Sequence, residues 1–589
     1  MSASHPLESA RGSSPSPPLG RWGPPRSTSA AAAELQHFTH QATASRHVRP
    51  PRDTGLSSLS CLRLSKKCEY RPGDAGSEPA PNTDLASRLH DLEQLLQGKG
   101  PSDLMPLPSY ANVNSSFPAA FFLDPDHYSK FGQHDLSSEQ LPWAEKAHVL
   151  VQDDWREVCE RFLSTIYTWL PMISKKRLYS ELTSSNPDTR AGNALFLLSM
   201  KLCTGRPLQS ADNSSSYADN ELYSAARQCI FCAESGGYIS LRLVQSLVLL
   251  AVYEMGHAIY PAAYLTVGRA ARLAMVIGLH NTKLATQLFV LPDMWSLREE
   301  QGRTWWAIFV LDKYKALLPT LSPYVLVSLG SPGLPFATPD PSVDHLLPSN
   351  DRDWNNGVIS INEPVLAQSF HAANSIGRFA RTCQAAHVLG KTMAHINRCK
   401  SAMTDVTEVV SEALHLHKAL VALDTSLGSP LDSFQGEGSS GPDSADVEDM
   451  NYTALSICCS ARYLLYTQYA CNESSRSAGP ERIALEAEAQ QLSIQGMEHL
   501  SGVLLPQIAR NMEHMVASPA VRPSVSFVPG HSMYYSAIDC ACFYKEFGSR
   551  TMLDGIKQIV QGFKALRTEW RVGGTFACSM TPLDMSLLI

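Results

Sequence analysis

The 589-residue sequence lacks the patterns by which many enzymes hold a nucleophile, a phosphate group or a catalytic metal. There is no G-x-S-x-G turn, no phosphate-binding glycine loop and no H-E-x-x-H pair. The pair Asp153 and Asp154 stands without the further carboxylates that a magnesium-dependent helical lyase or cyclase needs. These absences favour a protein that is not an enzyme.

Long apolar runs and a strong net charge are also missing. The best apolar run, Val244 to Tyr253, contains Gln245 and ends at Glu254, so it is too short to cross a bilayer. The N-terminus has no charged-then-apolar signal pattern, and 14 cysteines are too few for a disulfide scaffold. We therefore expect an intracellular protein with reduced thiols and no membrane partner.

Positive charge is concentrated near the N-terminus. The formal net charge is −7, so the chain as a whole is not a basic nucleic-acid coat, and any DNA affinity must be local. Residues 1–72 hold ten Lys and Arg residues against four acids. Within them, residues 1–57 are rich in Ser, Pro, Ala and Arg with no apolar period, which predicts disorder.

The remaining chain divides by composition. A Pro, Ser and Asn-rich linker is expected at 98–140, a helical domain at 143–424 and a C-terminal helical part at 451–589. Residues 425–450 contain six acids from Asp432 to Asp449 and no Lys or Arg, which indicates a solvated, disordered acidic loop or an acidic interaction segment.

Helical periodicity predominates after residue 143, and strand-like alternation is rare, so the sequence predicts an all-α fold. One helix is expected from Leu241 to Gly256. The next should start at Pro261, run to about Ile277 and stop at Gly278. Further helices are expected at about 296–316, 452–472, 481–516, 534–546 and 552–570.

Several residues within the helical domain have predicted packing roles. Five small residues should let two helices approach closely: Ala263, Gly268, Ala270, Ala271 and Ala274. Four charged residues are candidates for buried or half-buried ion pairs that fix helix register: Glu254, Arg272, Glu300 and Arg303.

The later cysteines and one histidine also have structural interpretations. The cysteines predicted to be core residues are Cys229, Cys232, Cys458, Cys459, Cys540 and Cys542. His280, after a predicted helix end, is expected to hydrogen-bond that terminus.

A short basic segment at 58–72 contains two cysteines in the order Cys61-Leu-Arg-Leu-Ser-Lys-Lys-Cys68. Two cysteines alone cannot complete a tetrahedral zinc site, which takes four ligands. Any DNA contact from this segment should come from Arg63, Lys66 and Lys67, and it should be to phosphate.

A leucine heptad follows at 84–97. Leu85, Leu89, Leu92 and Leu96 have the 4-3-4 spacing of coiled-coil a and d positions. A helix this short is marginal alone. It therefore either pairs with a second copy to make a homodimer or docks on its own domain.

Five further pieces follow in order over about residues 150–320. The first is a "W-x-P" turn, Trp169-Leu-Pro171-Met-Ile173. The second and third are Leu241 to Glu254 and Ala263 to His280. The last two are Glu299-Glu300-Gln301-Gly302-Arg303-Thr304-Trp305-Trp306 and Leu311-Asp312-Lys313.

This series resembles the regulatory domain, or middle homology region, of the fungal binuclear zinc-cluster transcription factors. The Cys61 and Cys68 segment resembles the end of their zinc cluster, in which six cysteines share two zinc ions. On that match Cys61 and Cys68 are the fifth and sixth cysteines, and Ser58 stands where the fourth is expected. Gly302 replaces the first of two adjacent arginines, which removes one ion-pairing partner and costs about 1 kcal/mol of helix stability.

The resemblance implies a nuclear regulator of RNA polymerase II transcription, with zinc, DNA and the transcription machinery as partners. It also allows a small-molecule effector, which no residue set identifies. Zinc would be bound only if the missing cysteines are supplied by a longer N-terminus. Two alternatives remain: a regulatory protein that acts through dimerisation or partners without binding DNA itself, and an α-helical enzyme.

Overall fold

A computed structural model describes the chain within the second of two units, residues 110–589. The described residues are 141–183, 187–205, 220–281, 292, 294–317, 334–342, 345–365, 376–399, 405–427, 451–470, 480–517 and 525–579.

The first ten described helices precede residue 360. They are α1 Pro142–Val149, α2 Trp155–Ser164, α3 Ile166–Trp169, α4 Lys175–Thr183, α5 Pro187–Thr204, α6 Glu221–Ser235, α7 Leu241–Gly256, α8 Ala262–Val276, α9 Trp295–Lys315 and α10 Asp351–Asn356.

Eight more described helices follow, and a five-residue π-helical turn, Leu500–Leu504, separates two of them. They are α11 Arg378–Cys399, α12 Val406–Ser426, α13 Tyr452–Tyr469, α14 Pro480–His499, α15 Leu505–Ala517, α16 Pro529–Phe547, α17 Arg550–Glu569 and α18 Arg571–Ser579. The described residues contain no strand, only an isolated antiparallel bridge between Leu346 and Pro364. The all-α prediction is confirmed.

Helices α7 and α8 show how local sequence sets helix ends. The Ser240 hydroxyl accepts a hydrogen bond from the Leu243 N–H at 3.1 Å and caps α7. Helix α8 begins one residue after Pro261, and Gly278 follows it with φ +77°. Because this left-handed conformation suits glycine, the predicted stop at Gly278 is confirmed.

An aromatic chain joins the early helices to the late ones. The Trp169 ring lies 5.7 Å from Phe527, whose ring lies 5.6 Å from Tyr314 and 5.5 Å from Trp570. The Trp570 indole N–H donates to the Val525 carbonyl at 2.7 Å, so its polar atom is satisfied inside the core. Residues from 143 to 576 therefore share one hydrophobic core.

The predicted close helix approach along α8 is only partly right. The four alanines are buried, namely Ala263, Ala270, Ala271 and Ala274. A Cβ at Gly268, however, would meet nothing within 4 Å. Among the described helices, none therefore lies close enough to require a glycine at this position. The close approach lies instead at the end of α7, where a Cβ on Gly256 would overlap the Trp570 ring.

Replacing Gly268 or Gly302 by alanine should therefore stabilise the protein. Both lie inside helices with open space at the Cβ position. Each change should raise the free energy of unfolding, measured by urea denaturation, by about 0.5–1 kcal/mol, because alanine loses less conformational entropy on folding.

A matched control is Gly548→Ala. Its Cβ also meets nothing within 4 Å, but its φ is +64°. An alanine there should be destabilising by about 1–2 kcal/mol. If all three variants changed stability in the same direction, helix entropy would not be the cause.

Candidate functional site

Helix α9 is buried on every side from Arg303 onwards, and it carries seven buried side chains that are charged or bear a hydroxyl. They are Glu299, Glu300, Arg303, Thr304, Asp312, Lys313 and Lys315. A buried charge is costly unless it is paired and hydrogen-bonded, so each of these groups requires a partner from another element. The partners make three clusters along the helix.

The first cluster centres on Glu300, which is fully buried. Its Oε1 accepts from Arg242 Nη1 at 3.1 Å and from Gln245 Nε2 at 3.0 Å. Its Oε2 lies 3.3 Å from Arg177 Nη1. Both arginines also contact Glu181, each at 2.6 Å. Two arginines and two glutamates thus join α4, α7 and α9.

The second cluster centres on Arg303, whose side chain is also fully buried. Its Nε donates to Glu299 Oε1 at 2.9 Å and its Nη1 to Asp351 Oδ1 at 2.8 Å. The carbonyls of Pro171 and Ser349 accept from Nη1 and Nη2 at 3.1 and 2.7 Å. One guanidinium therefore fixes the turn after α3 and the start of α10 against α9.

The third cluster lies at the end of α9. Asp312 accepts from the backbone N–H of Ala337 at 3.1 Å and of Thr338 at 2.9 Å, and Lys315 Nζ lies 2.8 Å away. Lys313 Nζ donates to the Thr338 carbonyl at 3.2 Å. Burial lowers the pKa of Lys313 to about 8. The negative charge of Asp312 acts in the opposite direction and raises it. The cluster holds residues 337–338 against the helix.

Two of the four predicted ion-pair residues are confirmed, namely Glu300 and Arg303. The ion-pair prediction for Glu254 is wrong: its Oε1 accepts from the Tyr223 hydroxyl at 2.8 Å, and burial raises the pKa of its carboxyl group. Arg272 was also wrong, because it lies on the exposed side of α8 and donates to the Met275 sulfur at 3.8 Å.

The core prediction for the cysteines is largely confirmed. Cys229, Cys458, Cys459 and Cys540 are buried and Cys232 is half-buried, but Cys542 is exposed, because α16 turns that position outwards. The prediction for His280 is not supported: its buried Nδ1 has no hydrogen-bond partner in the part of the chain that the structure describes. Its ring lies 5.9 Å from that of Trp305.

The residues of the two N-terminal motifs lie outside the described residues. These are Cys61 and Cys68 as metal ligands, Arg63, Lys66 and Lys67 as DNA contacts, and Leu85, Leu89, Leu92 and Leu96 as dimer contacts. They stay predictions. In the described ranges, no group of three or more His, Cys, Asp and Glu side chains is placed to hold a metal ion.

The sequence indicates Glu300 and Arg303 as buried charges by their place in an apolar helix, but it does not indicate Arg242 as the partner of Glu300. Two hydroxyls also belong to the clusters: Ser349 donates to Glu299 at 2.8 Å and Thr338 to Asp312 at 2.6 Å. The charged groups of the clusters are paired within a helix and with neighbouring elements, an arrangement that fixes register and holds loops.

Residues 159–375, which contain all three clusters, match the fungal specific transcription factor domain. Transcription factor BOA15 of Botryotinia fuckeliana (strain B05.10) is 40% identical to the chain over 185 residues, which cover 31% of this chain and 98% of that protein. The chain belongs to the fungal-specific transcription factor family.

Membership of this family identifies the helical core as a transcription regulator's domain and agrees with the expectation that the chain is not an enzyme. No solved structure matches the chain. Among the described residues, no helix is long and apolar enough to span a membrane.

Proposed function

We propose that the chain is a nuclear regulator of RNA polymerase II transcription that binds DNA as a homodimer. The observation that carries the proposal is the family match over residues 159–375, on a core built around the Glu300 and Arg303 clusters. The basic segment at 58–72 and the leucine heptad at 84–97 precede this core, the order expected of a DNA-contacting segment followed by a dimerising helix.

DNA contact is assigned to Arg63, Lys66 and Lys67, and pairing of two copies to the heptad leucines. Contacts of these cations to phosphate would set affinity rather than the choice of site. The helical core would then present a surface to the transcription machinery.

Zinc is not part of the proposed chemistry. Cys61 and Cys68 offer two thiolates, whereas a tetrahedral site takes four ligands. Zinc enters only if further cysteines precede Cys61, and no step of the proposal depends on it.

The test is the salt dependence of DNA binding. Changing Arg63, Lys66 and Lys67 together to glutamine should weaken binding to duplex DNA and reduce the slope of log K against log salt by about 5.4, or about 0.9 for each of the six phosphate contacts that the homodimer loses. Fluorescence anisotropy gives the slope, and selection from a pool of random duplexes should give the same preferred site for both proteins.

The control changes three exposed cations of α17, Arg550, Lys557 and Lys564, to glutamine. It carries the same change in net charge and should leave the slope unaltered. An unchanged slope in the first variant would remove the DNA assignment. If the wild-type chain bound no DNA, the second candidate, a regulator that acts through partners, would replace the first.

A further inference from the structure

A second polar cluster lies at the C-terminal end of α11, outside the matched residues 159–375. His395 Nδ1 is 2.7 Å from Glu412 Oε2 on α12, and His395 Nε2 is 2.8 Å from the Tyr469 hydroxyl on α13. Cys399 Sγ lies 3.6 Å from the same Nε2 and 3.7 Å from the Tyr469 hydroxyl. Glutamate, imidazole and thiol therefore form a continuous chain of contacts.

The helix itself sets the spacing of the histidine and the thiol. Cys399 follows His395 by four residues, so the two side chains lie on one face of α11, one turn apart. His395 is fully buried and is held at both ring nitrogens, whereas Cys399 is only half-buried. The base is thus fixed, and the residue that carries the sulfur is partly exposed.

The electrostatics of the cluster favour one charge state. Burial raises the pKa of Glu412, but Arg398 and His395 lower it by more than burial raises it. The pKa of this carboxyl group therefore lies below its usual value. Burial lowers the pKa of His395, but the hydrogen bonds that it donates to Cys399 and Glu412 raise it above the usual value. A carboxylate beside an imidazolium is the favoured pair.

The thiol follows the same logic. Burial raises the pKa of Cys399, but hydrogen bonds from His395 and Tyr469 and the charge on His395 outweigh it, so the pKa falls below that of an ordinary thiol. Glu412 opposes this shift. Thiolate, not thiol, is the nucleophile, so this environment activates Cys399.

Cys542 provides a contrast within the same chain. It is exposed on α16, yet burial of its sulfur and the charges of Asp539 and Glu546 raise its pKa. If accessibility alone set the rate of reaction with an electrophile, Cys542 would react faster. The contacts of the thiol instead favour faster reaction at Cys399.

We propose that Cys399 is a site of covalent modification by small electrophiles of the α,β-unsaturated carbonyl class, with His395 as its base and Glu412 as a positioning residue. In the resting cluster the Cys399 proton already resides on His395 Nε2, which makes a thiolate–imidazolium pair. The sulfur then bonds to the β-carbon of the electrophile, and the π electrons move to form an enolate. The enolate takes the proton back from the imidazolium, so nothing leaves and no oxidant is needed.

An adduct would act on the junction of three helices. The hydrogen bonds of His395 tie α11 to α12 and α13, and a group attached to Cys399 competes with them for Nε2 and for the Tyr469 hydroxyl. Modification thereby gives a chemical input to the helical core, which goes beyond the proposed DNA binding and is tested without DNA.

The experiment is timed alkylation of the full chain with N-ethylmaleimide between about pH 5 and pH 9, read by peptide mapping in a mass spectrometer. At about pH 6.5 Cys399 should react on the order of tenfold faster than Cys542 in the same sample, because it is thiolate at lower pH. Its rate should level off as pH rises, while that of Cys542 should keep rising.

His395→Gln should reduce the rate at Cys399 on the order of tenfold at about pH 6.5 and leave the rate at Cys542 unchanged. Glu412→Gln should give a smaller loss of rate at Cys399 and shift the pH profile of that rate. The other charged or titratable groups around the thiol, Arg398, His395 and Tyr469, also contribute to this profile. A merely structural role for these residues would alter stability without moving the profile.

The wild-type comparison needs no variant to fold. If Cys399 reacted no faster than Cys542 in the unmodified chain, or if its rate rose with pH in parallel with that of Cys542, the proposal would be overturned, whatever the outcome of the DNA measurements.

Discussion

Replacing Arg303 by methionine should lower the free energy of unfolding by about 3–5 kcal/mol, the largest loss expected from one side chain of the buried clusters. The guanidinium is fully buried and contacts two carboxylates, Glu299 and Asp351, at 2.9 and 2.8 Å. Methionine fills much of the volume but leaves both carboxylates without their cation, away from water. Urea denaturation of the two proteins under the same conditions gives the difference.

The control uses another arginine–glutamate pair with four-residue spacing. Arg161 and Glu157 lie 3.0 Å apart, with side chains 39% and 68% exposed. Arg161→Met should change stability by no more than about 1 kcal/mol, because solvent screens an exposed pair. Equal losses in both variants would show that burial does not determine the effect.

A further variant separates the lost charge from the lost packing. Adding Glu299→Gln and Asp351→Asn to Arg303→Met removes the uncompensated carboxylates and should recover part of the loss. No recovery would assign the loss to the packing of the guanidinium, which lies 4.9 Å from the Trp354 ring centre and 5.8 Å from that of Phe379.

Helix positions are predicted best from sequence where residues at the helix ends carry a local start or stop signal. Helix α7 was predicted over the residues it occupies, because an apolar run follows the capping Ser240. Helix α16 begins at Pro529 rather than near 534, although proline at a first helical position is a known start signal that could have been used. The π-helical turn at Leu500–Leu504 has no signal in the pattern of apolar residues.

Partners in the buried clusters were much harder to predict than their members. Glu254 and Glu300 look alike in sequence, each an acid in an apolar helix, yet only Glu300 meets arginines. Arg242 is 58 residues from Glu300, and no local rule brings them together. The sequence indicates which buried charged residues need a partner of opposite charge. Tertiary packing determines which residue is that partner.

Trp570, in the aromatic chain that joins early and late helices, is the second residue whose substitution should cause a large loss of stability. Trp570 is 2% exposed, contacts Phe527 and covers Gly256 of α7. Trp570→Ala should lower the free energy of unfolding by about 3–5 kcal/mol, since it removes a large buried ring and leaves a cavity. Urea denaturation measures the loss, and a value below about 1 kcal/mol would show that the last helices contribute little to the core.

Gly256 then provides a test of the contact itself. In the wild-type chain Gly256→Ala should be destabilising by about 1–3 kcal/mol, because its Cβ overlaps the Trp570 ring. With Trp570→Ala already present the overlap is gone, and the same change should become neutral or stabilising by up to about 1 kcal/mol, as for any glycine inside a helix. The change of sign in this double-mutant cycle is the expected result. A constant destabilisation in both backgrounds would mean that Gly256 is required by the backbone of α7 and not by the ring packed on it.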